Sequence, residues 1–201
     1  MFETLRNAWK LQDLRKKILY TLLMIIIFRF GSSITVPFLD TSLVGTWMED
    51  NAVNGNFLEY LDTMTGGALS KATIFSLSIT PYINASIIMQ LLTYALPPLE
   101  RLQQEGEEGR KTLNKITAFV ALGLALFMSV AYYFTLKNSM NAVPAKYLNG
   151  WHEYFVAAVI IASFMAGASL VIWMGNRIND KGIGNGVSML LFAGIAARFP
   201  T

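Results

Sequence analysis

From Ala72 to Leu96 the chain is apolar enough to cross a bilayer, yet it carries Ser76, Ser78, Thr80, Pro81, Asn84, Ser86 and Gln90. Hydroxyls and amides in hydrocarbon must find hydrogen-bond partners within the protein, because lipid supplies none. Pro81 lacks an amide hydrogen and its ring crowds the Leu77 carbonyl, so a helix running through it is expected to kink or loosen. Ser76, Ser78 and Thr80 are able to bond back to their own backbone. Asn84 and Gln90 are costly to leave in lipid and are expected to face other helices or a wet cavity.

Covalent and redox chemistry finds little footing. There is no cysteine, which excludes disulfides and thiolate metal sites. His152 is the only histidine, beside Trp151 at the edge of an apolar run, where an aromatic and polar pair is the ordinary interfacial arrangement. These side chains assemble neither a histidine-dependent catalytic group nor a zinc site. No cofactor, no metal and no enzymatic activity are therefore expected. The sequon Asn84-Ala85-Ser86 lies within an apolar run and carries no weight.

Two apolar pairs repeat one spacing. Ile79 and Ile83 are four apart and share a helix face one turn from each other, and Val187 and Leu191 do the same after DKGIGNGVS. In isolation such pairs are core. Gly182, Gly184 and Gly186 lack the spacing of a dinucleotide fingerprint and follow no strand; they suit a flexible start to a helix or a surface for close helix approach.

The elements that must position these residues are membrane spans. Of 201 residues, 54% are hydrophobic and 14% charged, and the mean hydropathy is +0.44, outside the balance of a soluble domain. Five runs are long enough to cross about 30 Å of hydrocarbon as helices: 18–36, 72–96, 116–136, 154–174 and 183–199. The first follows Arg6, Lys10, Arg15, Lys16 and Lys17 like a signal peptide, but Arg29 interrupts it and no small-residue cleavage site follows, so it is read as retained. Arg29 either snorkels outward or pairs with the interior. No Asp or Glu falls within the five runs, which weighs against a proton- or sodium-driven carrier.

Between the first two runs, NFLEYLDTMTGGALSKA is too polar to span. Phe57, Leu58, Leu61 and Met64 recur at helical spacing, predicting a short amphipathic helix that ends at Gly66-Gly67. It either lies on the membrane surface or folds back as a small movable element.

Basic residues favour the cytoplasmic side. With the N-terminus inside, Arg6, Lys10, Arg15, Lys16, Lys17, Arg101, Arg110, Lys111, Lys115, Arg177 and Lys181 fall there, against Lys71, Lys137, Lys146 and Arg198 outside. The expected topology is N-in, with residue 201 external. The hairpin from Arg101 to Lys115 is mixed in charge and is read as a solvated face. An odd number of spans means that a second copy of the unit would insert upside down, as in inverted-repeat transport proteins. Residues 1–201 are thus read as one domain, half of such a pair.

Three stretches carry a family resemblance: GGALSKATIFSLSITPYINASIIMQLL (Gly66 to Leu92), EGEEGRKTLNKIT (Glu105 to Thr117) and IWMGNRINDKGIGNGVSMLLFAGIAARFP (Ile172 to Pro200). In order and at matching separations, they resemble the SecY protein-translocation channel family. Two positions depart from the family's habit. Pro37-Phe38 stands where Pro-Gly is common, and Asn176 and Arg177 stand where an acidic residue is frequent.

The resemblance implies an all-α integral membrane protein, spans one to five of a ten-span channel built from two inverted halves. It implies a plug at about 57–70, including Phe57, Leu58, Leu61, Met64, Gly66 and Gly67. It places Ile79, Ile83, Val187 and Leu191 in an apolar pore ring, and Asn84, Ile87 and Gln90 on one side of a lateral gate. The implied role is passage of unfolded secretory polypeptides across, and membrane helices into, the bacterial plasma membrane. Implied partners are a C-terminal half, SecE and SecG, the SecA motor and the ribosome mainly through the other half, signal sequences and nascent chains, and the lipid bilayer, with no nucleic acid bound directly. The alternatives are half of an inverted-repeat secondary transporter, against which the missing acids count, and a truncated fragment that folds but conducts nothing.

Overall fold

The structure, a computed structural model, describes residues 12–52, 57–147 and 150–197. Arg6, Lys10, Arg198 and Phe199, used above for topology and span limits, lie outside the described residues. Regular structure among the described residues is helical: α1 Gln12–Gly31, α2 Thr41–Ala52, α3 Phe57–Met64, α4 Thr80–Ala95, α5 Pro97–Gln104, α6 Glu107–Asn138, α7 Trp151–Lys181 and α8 Gly186–Ala196.

Among the described residues two helices, α6 with 32 residues and α7 with 31, are long and apolar enough to cross a membrane. The other three expected spans are helical over less of their length. α1 begins ahead of Ile18, taking in Arg15, Lys16 and Lys17, and stops at Gly31, short of Val36. It stops because the Ser32 and Ser33 hydroxyls donate to the Arg29 carbonyl, at 2.7 and 3.4 Å. The chain then pairs as a single bridge, Thr35 with Thr73, in which the Val36 amide donates to the Ala72 carbonyl at 3.0 Å and the Ile74 amide to the Ile34 carbonyl at 2.9 Å. α8 has 11 residues, a rise of about 16 Å against the roughly 30 Å of a hydrocarbon core.

Run 72–96 needs the largest correction. It is helical only from Thr80, and Ala72 to Ile79 pass through consecutive turns. The hydroxyls build these turns: Ser76 Oγ donates to the carbonyls of Ala68 (2.9 Å) and Thr73 (2.6 Å), and Thr73 Oγ1 to that of Ala68 (3.3 Å). No kink forms at Pro81. It occupies the first turn of α4, where a missing amide hydrogen costs nothing. The Leu77 carbonyl, no longer in a helix, accepts from the Thr80 amide at 3.3 Å.

This turn-rich segment is clamped from both sides. A Cβ added at Gly167 of α7 would lie 2.0 Å from the Ile74 carbonyl oxygen, so the two backbones touch where only glycine fits. On the α1 side, Phe28 stacks on Phe75 with ring centroids 5.6 Å apart. A second buried cluster joins Val44 and Met48 of α2 to Tyr133 and Leu136 of α6 and to Ile160 and Phe164 of α7. Near it, Lys137 and Glu153 form an ion pair between the last turn of α6 and the first turn of α7.

α2 was not anticipated. Its start is set by Asp40, whose Oδ1 accepts from the Ser42 amide at 3.1 Å and from the Ser42 hydroxyl, a side-chain cap that satisfies an otherwise orphaned donor. The Ser42 hydroxyl, then its amide, hold the Asp40 carboxyl below its ordinary value. With the folded pKa depressed, the cap's contribution is fully present above the unfolded value, about 3.9, and is lost as pH falls through the folded value. In an NMR titration the Ser42 amide is expected to report an Asp40 midpoint below that value. Ser42→Ala is expected to move the midpoint back up, and an unmoved midpoint would contradict the cap.

Candidate functional site

Ile79, Ile83, Val187 and Leu191 fall in one apolar cluster with Met24, Phe28, Phe75, Val171, Met174, Ile178 and Leu190. The four are not equivalent: Ile79 is 2% exposed and packed into the cluster, whereas Ile83, Val187 and Leu191 are half-buried around it. Ile79 sits at the last turn before α4, and its carbonyl accepts from the Ile83 amide at 3.0 Å, which sets the pair's spacing.

Polar contacts fix the start of α8 and so aim Val187 and Leu191. Thr21 Oγ1 of α1 accepts from the Ile183 amide at 3.1 Å, and Asn179 Oδ1 of α7 accepts from the Gly186 amide at 2.6 Å. Asn185 caps α8, its Oδ1 accepting from the Val187 and Ser188 amides at 3.0 and 3.3 Å. The two readings of the glycine stretch divide by position. A Cβ at Gly186 would lie 2.1 Å from the Gly175 carbonyl oxygen, a close approach of α8 to α7, while Gly184, at φ +72, makes the turn.

α3 packs against α8. The side chains of Phe57, Leu58 and Leu61 lie outside the described residues; Met64 is half-buried. Past α3 the chain folds on itself: Asp62, 3% exposed, accepts from the Ser70 amide at 2.8 Å through Oδ1, and Thr65 Oγ1 donates to the Asp62 carbonyl at 3.0 Å. Tyr132 of α6 donates its hydroxyl to the Leu69 carbonyl at 3.2 Å. Gly66 has φ +68, and a Cβ there would stand 2.7 Å from the Gly194 carbonyl oxygen of α8. Arg29 Nη1 donates to the Gly66 carbonyl at 3.4 Å. Of the two fates considered for Arg29, it reaches another segment of the chain.

On α4, Asn84 is half-buried, Ile87 is 50% exposed and Gln90 is exposed. Gln90 lines a cleft of about 370 Å³ with Tyr82, Ser86, Gln103, Arg110 and Asn114, between α4, α5 and α6. The Gly66–Gly194 approach, the reach of Arg29 and the Tyr132 bond escaped sequence reasoning.

A family model described as SecY matches residues 73–201. The chain belongs to the SecY family. Over its whole length it is 40% identical to the protein translocase subunit SecY of Thermotoga maritima, covering 47% of that protein, and 36% identical to that of Aquifex aeolicus, covering 46%. The Escherichia coli K12 protein of the same name is 37% identical over 94% of this chain and 42% of its own length. The chain thus spans about half the length of these SecY relatives and matches their N-terminal half.

Both departures from the SecY pattern have structural counterparts. Phe38, where glycine is common, is held at φ +66, a conformation that costs a bulky residue roughly 1–2 kcal/mol; its ring meets Tyr147 edge-on at 5.3 Å. Arg177, near the place of the frequent acid, lies over the Trp173 ring at 5.6 Å.

Proposed function

We propose that this chain forms the N-terminal half of a protein-conducting channel in the bacterial plasma membrane. It passes unfolded polypeptides across the bilayer and membrane helices sideways into it, with the N-terminus cytoplasmic and residue 201 external. Ile79, Ile83, Val187 and Leu191 contribute half of the pore ring, the segment from about 57 to 70 is the plug, and the α4 face bearing Asn84, Ile87 and Gln90 is one side of the lateral gate.

The observation that carries this reading is the gathering of the four aliphatic residues in one apolar cluster of a SecY-family chain. Branched aliphatic side chains offer a sliding polypeptide no hydrogen bonds, so its sequence does not matter, and a narrow apolar collar dewets and resists ions. That is passive conduction, not enzymatic catalysis. The driving force comes from partners, SecA or a translating ribosome, with SecE, SecG and the C-terminal half completing the assembly.

The test places a photocrosslinker at Ile83, co-expresses the chain with a complementary C-terminal half and supplies a stalled secretory precursor. An adduct between position 83 and the precursor is expected. If the pair demonstrably exports the precursor and no adduct forms, Ile83 does not line the pore.

A further inference from the structure

Arg29 stands exposed in the last turn of α1, and among the described residues it makes no salt bridge. We propose that Arg29 is the positioning residue that keeps the plug seated, its guanidinium bracing the junction where the end of α3 meets the C-terminal end of α8. This rests on the reading of that segment as the plug.

The side chain springs from a fixed stem. Phe28, next to it, is 2% exposed and stacked on Phe75, and a Cβ at Gly31 would lie 2.2 Å from the same ring. The Arg29 carbonyl is held by the Ser32 hydroxyl. From that base Nη1 reaches the Gly66 carbonyl, two residues past the end of α3. The point a Gly66 Cβ would occupy lies 2.7 Å from the Gly194 carbonyl oxygen and 3.2 Å from Arg29 Nη1, so the cation and the end of α8 flank the same atom.

Both helices point their carbonyl ends at this junction. The last carbonyls of a helix lack intrahelical partners and carry the negative end of its dipole, so one cation there is favourable to α3 and α8 together. The target is backbone, so the brace does not depend on which side chains the plug carries. A planar fork can address carbonyls in more than one direction, which the ammonium of lysine does less well. Removing the cation takes the Arg29 bond away from the Gly66 carbonyl, beside the Gly66–Gly194 approach.

The test reconstitutes the chain in lipid nanodiscs and follows amide hydrogen exchange of residues 62–70 against residues 160–172 of α7. Arg29→Met is expected to speed exchange at 62–70 about tenfold and to leave α7 unchanged, and Arg29→Lys to restore part of the protection. Unchanged exchange at 62–70 overturns the proposal. So does an equal acceleration in α7, which would make Arg29 a general support of the fold. The plug reading is separable: with the complementary half and a stalled precursor present, a plug should lose protection at 62–70 in the unsubstituted chain. If the precursor leaves that segment protected while Arg29→Met releases it, the brace stands and the plug reading falls.

Discussion

Gly167→Ala is expected to destabilise the chain by about 3 kcal/mol, the upper part of the range for forcing an extra methyl into a packed site. The new Cβ would sit 2.0 Å from the Ile74 carbonyl oxygen and 2.6 Å from the Ile74 Cγ2. The first of these is backbone and cannot rotate away. Its amide is already committed to the Ile34 carbonyl, so α7 can withdraw only by parting from the segment that leads into α4. At roughly 2–4 °C per kcal/mol for a chain of this size, the melting midpoint in detergent should fall by about 6–12 °C. Gly123→Ala in α6 is the control: nothing lies within 4 Å of its added Cβ, and alanine is the better helix former. Midpoints for the two variants within a degree of each other would mean that the Gly167 contact is not tight.

Asparagine at Ile79 and at Leu191 should separate the buried member of the apolar cluster from a half-buried one. Ile79 is 2% exposed, so Ile79→Asn loses about 1.5–3 kcal/mol of apolar burial and strands an amide at a further cost of about 1–3 kcal/mol. Leu191 is only half-buried, so Leu191→Asn gives up less packing and should melt within a few degrees of the unsubstituted chain. Its effect is expected elsewhere. On the pore reading proposed above, a polar group at position 191 lowers the barrier to wetting, and ion flux through otherwise sealed vesicles of the assembled channel should rise. Equal melting of the two variants would put both side chains in the same environment and remove the distinction drawn here.

Periodicity made α3 legible, because Phe57, Leu58, Leu61 and Met64 mark one helical face, and Phe57–Met64 is helical. The same spacing argument paired Ile79 with Ile83 and Val187 with Leu191, and each pair keeps to one cluster. Where α4 begins was not legible. Apolar residues of Ala72 to Ile79 look alike whether the backbone is helical or turning; the Ser76 hydroxyl does bond back to nearby backbone as expected, but in turns rather than in a helix. α2 escaped because an aspartate such as Asp40 serves a loop as readily as a helix start, and only the fold shows its Oδ1 accepting from the Ser42 amide. The contacts of Gly66 with Gly194 and of Gly167 with Ile74 join backbones far apart in sequence, and no local pattern announces them.

The stretch from Ala68 to Ile79 closes part of its hydrogen bonding with hydroxyls of its own instead of a continuous helical ladder. An ordinary helix unwound at that depth would strand carbonyls in hydrocarbon, one for every rung broken. Here the serine and threonine oxygens travel with the chain as a private substitute for water. Such a stretch is able to bend while the Thr73 and Ser76 hydroxyls keep the Ala68 and Thr73 carbonyls occupied.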